Sequence, residues 1–184
     1  FPYRGLGGEL IIMEKTLAVL NQLEQEGIIG RYAIGGAVAA TRYIEPIQTY
    51  DLDVFVALRV PVAPSGLISL APVYAYLTQR GYAPQGECIM IEGWPVQFLP
   101  VYNALTEEAL AQAVDVEFGS TPTRVLSAEY LAAIMLETGR PKDHARLVQF
   151  FEFDALNREA LADVVARHGL AAKWESFRRR FLSE

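Results

Sequence analysis

Two aspartates alternate with large apolar residues in "DLDVFVAL" (51–58). Carboxylates are poor strand formers and costly to bury unless they are paired or bind a metal. Side chains of a strand alternate between its faces, so Asp51, Asp53 and Phe55 point one way and Leu52, Val54 and Val56 the other. The two acids then stand roughly 7 Å apart at Cβ, and their oxygens can converge on one or two hard cations. Mg²⁺, or Mn²⁺ in its place, takes one or two carboxylates, water and phosphate oxygens. Upstream, "YAIGGAVAATRYIEP" (32–46) carries Gly35 and Gly36 between a short apolar run and a helix-like run. Glycine lets the backbone approach a ligand closely, and the amides at a helix start attract anions. A phosphate cradle followed by a carboxylate pair is what a nucleoside triphosphate with its metal requires.

The elements that must position these residues can be read from the chain. The pattern over 11–26 is helical, with Leu17, Leu20 and Leu23 recurring and Gly27 as a stop. "RYAI" (31–34) is a short strand, "AVAATRYI" (37–44) a short helix closed by Pro46, and "DLDVFVAL" the strongest strand signal. "RVPVAPSG" (59–66) is a loop, and 67–81 a helix with Pro72 in its first turns. "ECIMIEGWPVQFLPV" (87–101) reads as a hairpin turning at Glu92-Gly93. A helix follows over 106–114, with Thr106 as N-cap, and then a short strand pair or an extended connection within 116–127. From Ser127 onward the chain is helical, over 128–138, 142–153, 157–168 and 170–182. The expected fold class is α+β (mixed α/β), a mixed sheet flanked by helices with a C-terminal helical extension. Residues 1–12 read as a loose or vector-derived leader with the first formed element near Met13, 13–126 as the core, and 127–184 as a helical part packed on it.

The 184 residues suffice for one well-buried domain, and 52% apolar with 21% charged residues describes a globular chain. A net charge of −6 disfavours nucleic-acid binding by the surface as a whole. The single cysteine, Cys88, excludes an intrachain disulfide and reads as a small buried apolar residue. No apolar run is long enough to cross a bilayer, and no signal peptide is visible, so the expected location is the cytoplasm.

The stretch "AIGGAVAATRYIEPIQTYDLDVFV" resembles the signature of the nucleotidyltransferase superfamily, with its DNA polymerase β-like fold. That signature is a Gly-Gly or Gly-Ser, a short helix, and a strand carrying two acids around an apolar residue. Within the superfamily the chain is most similar to the AbiEii-type and related small bacterial proteins of toxin–antitoxin and phage-defence systems. The resemblance implies Mg²⁺-dependent transfer of a nucleotidyl group from an NTP to a hydroxyl of RNA (a tRNA among the candidates) or protein, with a toxin or antitoxin as a candidate partner. Asp51 and Asp53 would hold the metal, and Gly35 and Gly36 the phosphates. "TGRPKDHARLVQFF" (138–151) resembles a helix-start element in which Lys142 neutralises triphosphate charge and Asp143 orients or deprotonates the acceptor. The residues themselves equally fit a helix opened by Pro141 and capped electrostatically by Asp143.

The chain departs from the family pattern at two places. No hydroxyl follows the glycines, where Ala37 and Val38 stand. Many members carry a third carboxylate on a later strand, and the matching position in "WPVQFLPV" is Gln97, which cannot accept a proton as a base. A catalytically degenerate binding or regulatory module is therefore the alternative reading. His144 faces away from its neighbour Asp143 on a helix, His168 suits a helix end, "FRRRF" (177–181) reads as a solvated face, and "QFFEF" (149–153) as core.

Overall fold

The structure is a computed structural model that describes residues 7–45, 49–58 and 69–182. The loop expected at 59–66, the closing Pro46 and residues 1–6 of the expected leader lie outside the described residues. Helix α1 (Gly7–Gln25) starts ahead of Met13, where the sequence places the first formed element. Its first turn, ahead of the helical pattern at 11–26, carries Gly7 and Gly8, which are poor helix formers. Met13, Leu17, Leu20 and Leu23 are buried along one side of α1.

Next come β1 (Tyr32–Ile34), α2 (Gly36–Ala40), β2 (Leu52–Val56) and α3 (Ala71–Gln79). A small antiparallel group follows: β3 (Pro84–Gln85), β4 (Cys88–Ile91) and β5 (Trp94–Pro100). The β4–β5 turn is at Glu92-Gly93, both with positive φ (52° and 89°), the geometry that suits a tight hairpin. Then come α4 (Ala104–Ala111), the hairpin β6 (Val114–Phe118) and β7 (Thr121–Val125), and four helices: α5 (Ala128–Thr138), α6 (Pro141–Glu152), α7 (Arg158–Arg167) and α8 (Ala171–Phe181). The strands form one mixed sheet of order β3-β4-β5-β2-β1-β7-β6.

The register places the site. Strand β2 runs antiparallel to β1, with Ile34 opposite Val54, and parallel to β5, with Asp53 opposite Gln97. On one face, Ile89, Val96 and Leu52 form a row across β4, β5 and β2, all fully buried. Thr16 of α1 ties the helix to the sheet by donating to the Ile91 carbonyl at 3.0 Å. The opposite face carries Asp53 and Gln97 in the next row. That face looks toward α5, whose Leu131 and Met135 are buried while Ile134 is partly exposed.

Three local expectations change. The N-cap of α4 is Asn103, not Thr106. Asn103 Oδ1 accepts from the Thr106 amide at 2.9 Å, and Thr106 Oγ1 accepts from the Asn103 amide at 3.3 Å. Thr106 thus occupies the third helical position of a reciprocal cap. Phe150 is fully buried as expected, but Phe153, just past the end of α6, is 46% exposed. Cys88 is only half-buried, because it lies on the same sheet face as Asp53 rather than on the core face.

Candidate active site

A cavity of about 640 Å³ opens between the β2–β5 face of the sheet, α5 and the start of α6. It gathers Gly36, Asp51, Asp53, Gln97, Lys142 and Asp143, six residues singled out by the sequence from four separate segments.

Gly36 is fixed by two independent constraints. Its φ is +57°, and a Cβ there would stand 1.8 Å from Asp53 Oδ2. The backbone of α2 therefore rests directly on the carboxylate, an approach that only glycine permits. Gly35 plays a different part from the expected cradle. Its amide is committed to the Asp53 carbonyl at 2.9 Å, extending the ladder. A Cβ at 35 would strike the Phe55 ring at 2.4 Å. Gly35 thus supplies clearance, while Gly36 and Ala37 at the start of α2, which no side chain caps, line the cavity.

Asp51 and Asp53 share the cavity face with Phe55, as strand alternation requires. Asp51 Oδ1 accepts from Thr49 Oγ1 at 3.2 Å. The Asp53 carboxylate has no hydrogen-bonding partner among the described residues. Burial, and then the charge of Asp51, push the Asp53 carboxyl up to about 6, against the pull of Lys142, Arg140 and Arg146. A half-buried, unpartnered carboxylate beside a second one is an arrangement that a cation relieves. Among the described residues no set of three His, Cys, Asp or Glu could hold a metal ion. The pair therefore fits Mg²⁺ or Mn²⁺, which complete their shells with water and phosphate oxygens, and not a closed structural zinc site.

The opposing charge comes from the start of α6. Lys142 and Arg146 lie one turn apart and line the cavity with Arg140. Arg146 Nε is buried with no partner among the described residues, and its burial lowers the guanidinium's affinity for its proton. A partly buried cation lining a cavity, with a donor left unpaired, is a place for an anion. The sequence reading passed over Arg140 and Arg146; the signal available was the four-residue spacing of Lys142 and Arg146 on a helix opened by Pro141.

Asp143 departs from the expected role. It is 1% exposed. It accepts from Arg140 Nε at 2.6 Å and Nη2 at 3.2 Å, and from Thr138 Oγ1 at 2.8 Å. Burial works against its ionisation, but the Arg140 and Thr138 hydrogen bonds prevail and hold it below its ordinary value. A carboxylate so saturated is a poor proton acceptor. Its place is to clamp Arg140 at the cavity rim. His144 lies away from it, packed on Phe177 and Phe181 with ring centroids 5.8 and 5.1 Å away.

The remaining wall is amphipathic. Leu131, Ile134 and Met135 of α5 face Tyr102 and Tyr50, which are 65% and 76% exposed. Glu137 accepts from Asn103 Nδ2 at 2.9 Å. None of these was identified from sequence, because they come from three separated segments.

No protein-family model matches the chain, and no curated protein matches it. Solved structures do. One is the solution structure of the antibiotic-resistance factor ANT(2'')-Ia, at 15% identity, 94% coverage of this chain, 97% of that one, and a TM-score of 0.53. Another is an antigenic nucleotidyltransferase-like protein from Paracoccidioides brasiliensis, at 15% identity, 92% and 93% coverage, and a TM-score of 0.51. The chain has the nucleotidyltransferase fold. Among the described residues no helix is long and apolar enough to cross a membrane.

Proposed function

We propose that this chain is a metal-dependent nucleotidyltransferase that moves a nucleotidyl group from an NTP to a hydroxyl acceptor. The observation that carries this reading is Asp53, seated against Gly36 and beside Asp51, with Lys142, Arg140 and Arg146 around one cavity. Asp51 and Asp53 would hold Mg²⁺ or Mn²⁺. When bound, the ion would supply Lewis-acid polarisation at the α-phosphate. The α2 amides, Lys142 and Arg146 would bind and orient the triphosphate, and Arg140 would be held in place by Asp143. Charge on the departing pyrophosphate would develop against these cations, so positioning and electrostatics would provide most of the rate. The core (13–126) supplies the carboxylates and the helical part (127–184) supplies the cations, so the site needs both. The acceptor hydroxyl belongs to RNA or protein in this reading. An AbiEii-like setting with a toxin or antitoxin partner, and a cytoplasmic location, rest on the sequence resemblance.

Gln97, opposite Asp53 on the neighbouring strand, favours one second reading: a binding module that holds NTP without turnover. Incubation with each α-labelled NTP, Mg²⁺ or Mn²⁺, and total RNA or cell extract separates the two. Label is expected in RNA or protein, and is expected to vanish in Asp51→Asn and Asp53→Asn. Binding without label in either polymer would establish the module.

A further inference from the structure

The carboxylate missing at position 97 has a neighbour. Glu87 lies at the β3–β4 turn, and Gln97 Nε2 donates to its Oε2 at 3.3 Å. The register explains the meeting. Ile89 pairs with Val96 and Met90 with Pro95, so one further step sets Cys88 beside Gln97, which itself stands opposite Asp53. Asp53, Gln97 and Cys88 thus form a row across three adjacent strands on the cavity face. Glu87 precedes this row and reaches back over it.

The turn is anchored. Tyr74 Oη donates to the Glu87 carbonyl at 3.0 Å, and the Tyr74 ring packs edge-on against Phe98, 6.4 Å away. Gln97 then fixes the carboxylate itself. The Cys88 thiol reports the shared field: burial, then Asp51, Asp53 and Glu87, push it up from its ordinary value. Among the described residues no third acid is close enough to share a metal with the Asp51–Asp53 pair. The exposed carboxylate also has no cation within ion-pair distance among the described residues, and its one side-chain hydrogen bond comes from a neutral amide. It therefore keeps acceptor capacity that Asp143 has lost.

We propose that Glu87, oriented by Gln97, is the proton acceptor for the attacking hydroxyl. The proposal rests on the transferase reading above. In the step, the acceptor oxygen bonds to the α-phosphorus and its proton passes to the Glu87 carboxylate. The bond from the α-phosphorus to the bridging oxygen breaks, pyrophosphate leaves, and Glu87 returns the proton to solvent. Gln97 positions the base and stays neutral throughout. The family's third-carboxylate function is thereby moved from strand β5 to the turn before β4.

The test measures pyrophosphate release from an equal mixture of four NTPs with Mn²⁺ and total RNA, with water as the fallback acceptor. Calorimetric binding of the same NTP and Mn²⁺ mixture is the second readout. Glu87→Gln is expected to lower the turnover rate about 10²-fold, the usual weight of a general base, with KM and binding unchanged. Adding Gln97→Glu to that variant should restore most of the rate, by returning a carboxylate to the row beside Asp53. Glu87→Gln turning over like wild type, while Asp53→Asn is dead, would overturn the role of Glu87 and leave the transferase reading standing. A loss in Glu87→Gln that is matched by lost binding, or that Gln97→Glu does not restore, would also overturn it. Wild type releasing no more pyrophosphate than Asp53→Asn would overturn both.

Discussion

Asp53→Asn separates the cost of the site from its use. Burial and the neighbouring Asp51 move the Asp53 carboxyl from 3.8 up to about 6. The folded state therefore holds this proton more tightly than the unfolded chain does. Below pH 3.8 the group is protonated in both states and costs nothing. As the pH rises from 3.8 to about 6, stability is lost, and above that window the loss is complete. At about 1.4 kcal/mol per pH unit, the interval amounts to about 3 kcal/mol. Partial exposure of Asp53 makes this an upper figure. The amide keeps the shape and removes the charge. Asp53→Asn should therefore be more stable than wild type at about pH 8 by up to about 3 kcal/mol, or about 6–12 °C in Tm for a chain of this size. The gain should disappear at low pH. Urea denaturation of both proteins across pH, without added metal, measures it. Mg²⁺ or Mn²⁺ with NTP should then raise the Tm of wild type and leave the variant unmoved. A variant no more stable than wild type at high pH, or a difference that does not change with pH, would refute the account of Asp53 as a strained carboxylate awaiting a cation.

Other outcomes follow from the same geometry. Gly36→Ala places a Cβ 1.8 Å from Asp53 Oδ2 at a φ of +57°; it should cost about 1–3 kcal/mol and abolish NTP binding, as thermal denaturation and calorimetry would show. Lys142→Ala should weaken NTP binding by about 1.5–3 kcal/mol with Tm nearly unchanged. Arg146→Met, which removes a buried donor without a partner, should weaken NTP binding while raising Tm. Glu108 joins three helices by accepting from Tyr130 Oη, Arg167 Nη1 and His168 Nε2 at 2.6, 2.6 and 2.8 Å. The Tyr130 and Arg167 hydrogen bonds lower its carboxyl from 4.5 to about 2. Its contribution to stability is therefore full above pH 4.5 and lost as the pH falls toward 2. Glu108→Gln should lower Tm at neutral pH and narrow the gap to wild type in acid.

The site was legible where its physics is local. A period of two put Asp51, Asp53 and Phe55 on one face, and the glycine before a short helix lay where the backbone meets the carboxylate. The start of α6 was legible in part: Pro141 marked it, and Lys142 does face the cavity. Asp143 was open between a part in the reaction and a charge at the helix start; one residue along a helix turns the side chain by about 100°, which sets it in the Arg140–Thr138 clamp. The α4 cap was assigned to Thr106 because Asn103 sat one turn earlier in an unreadable connection.

By itself the sequence determined the mixed succession of elements, the acid pair and its face, and the glycine at 36. These depend on backbone periodicity and residue chemistry, which act over a few residues. Only the tertiary structure decided what each charge can do. Folding takes α6 across to β2, so that Lys142 and Arg146 oppose Asp53; it saturates Asp143; and it sets Glu87 within reach of Gln97 by the register of β4 on β5. Charges from distant segments acquire their proton affinities and partners from burial and distance, and those exist only once the chain has closed on itself.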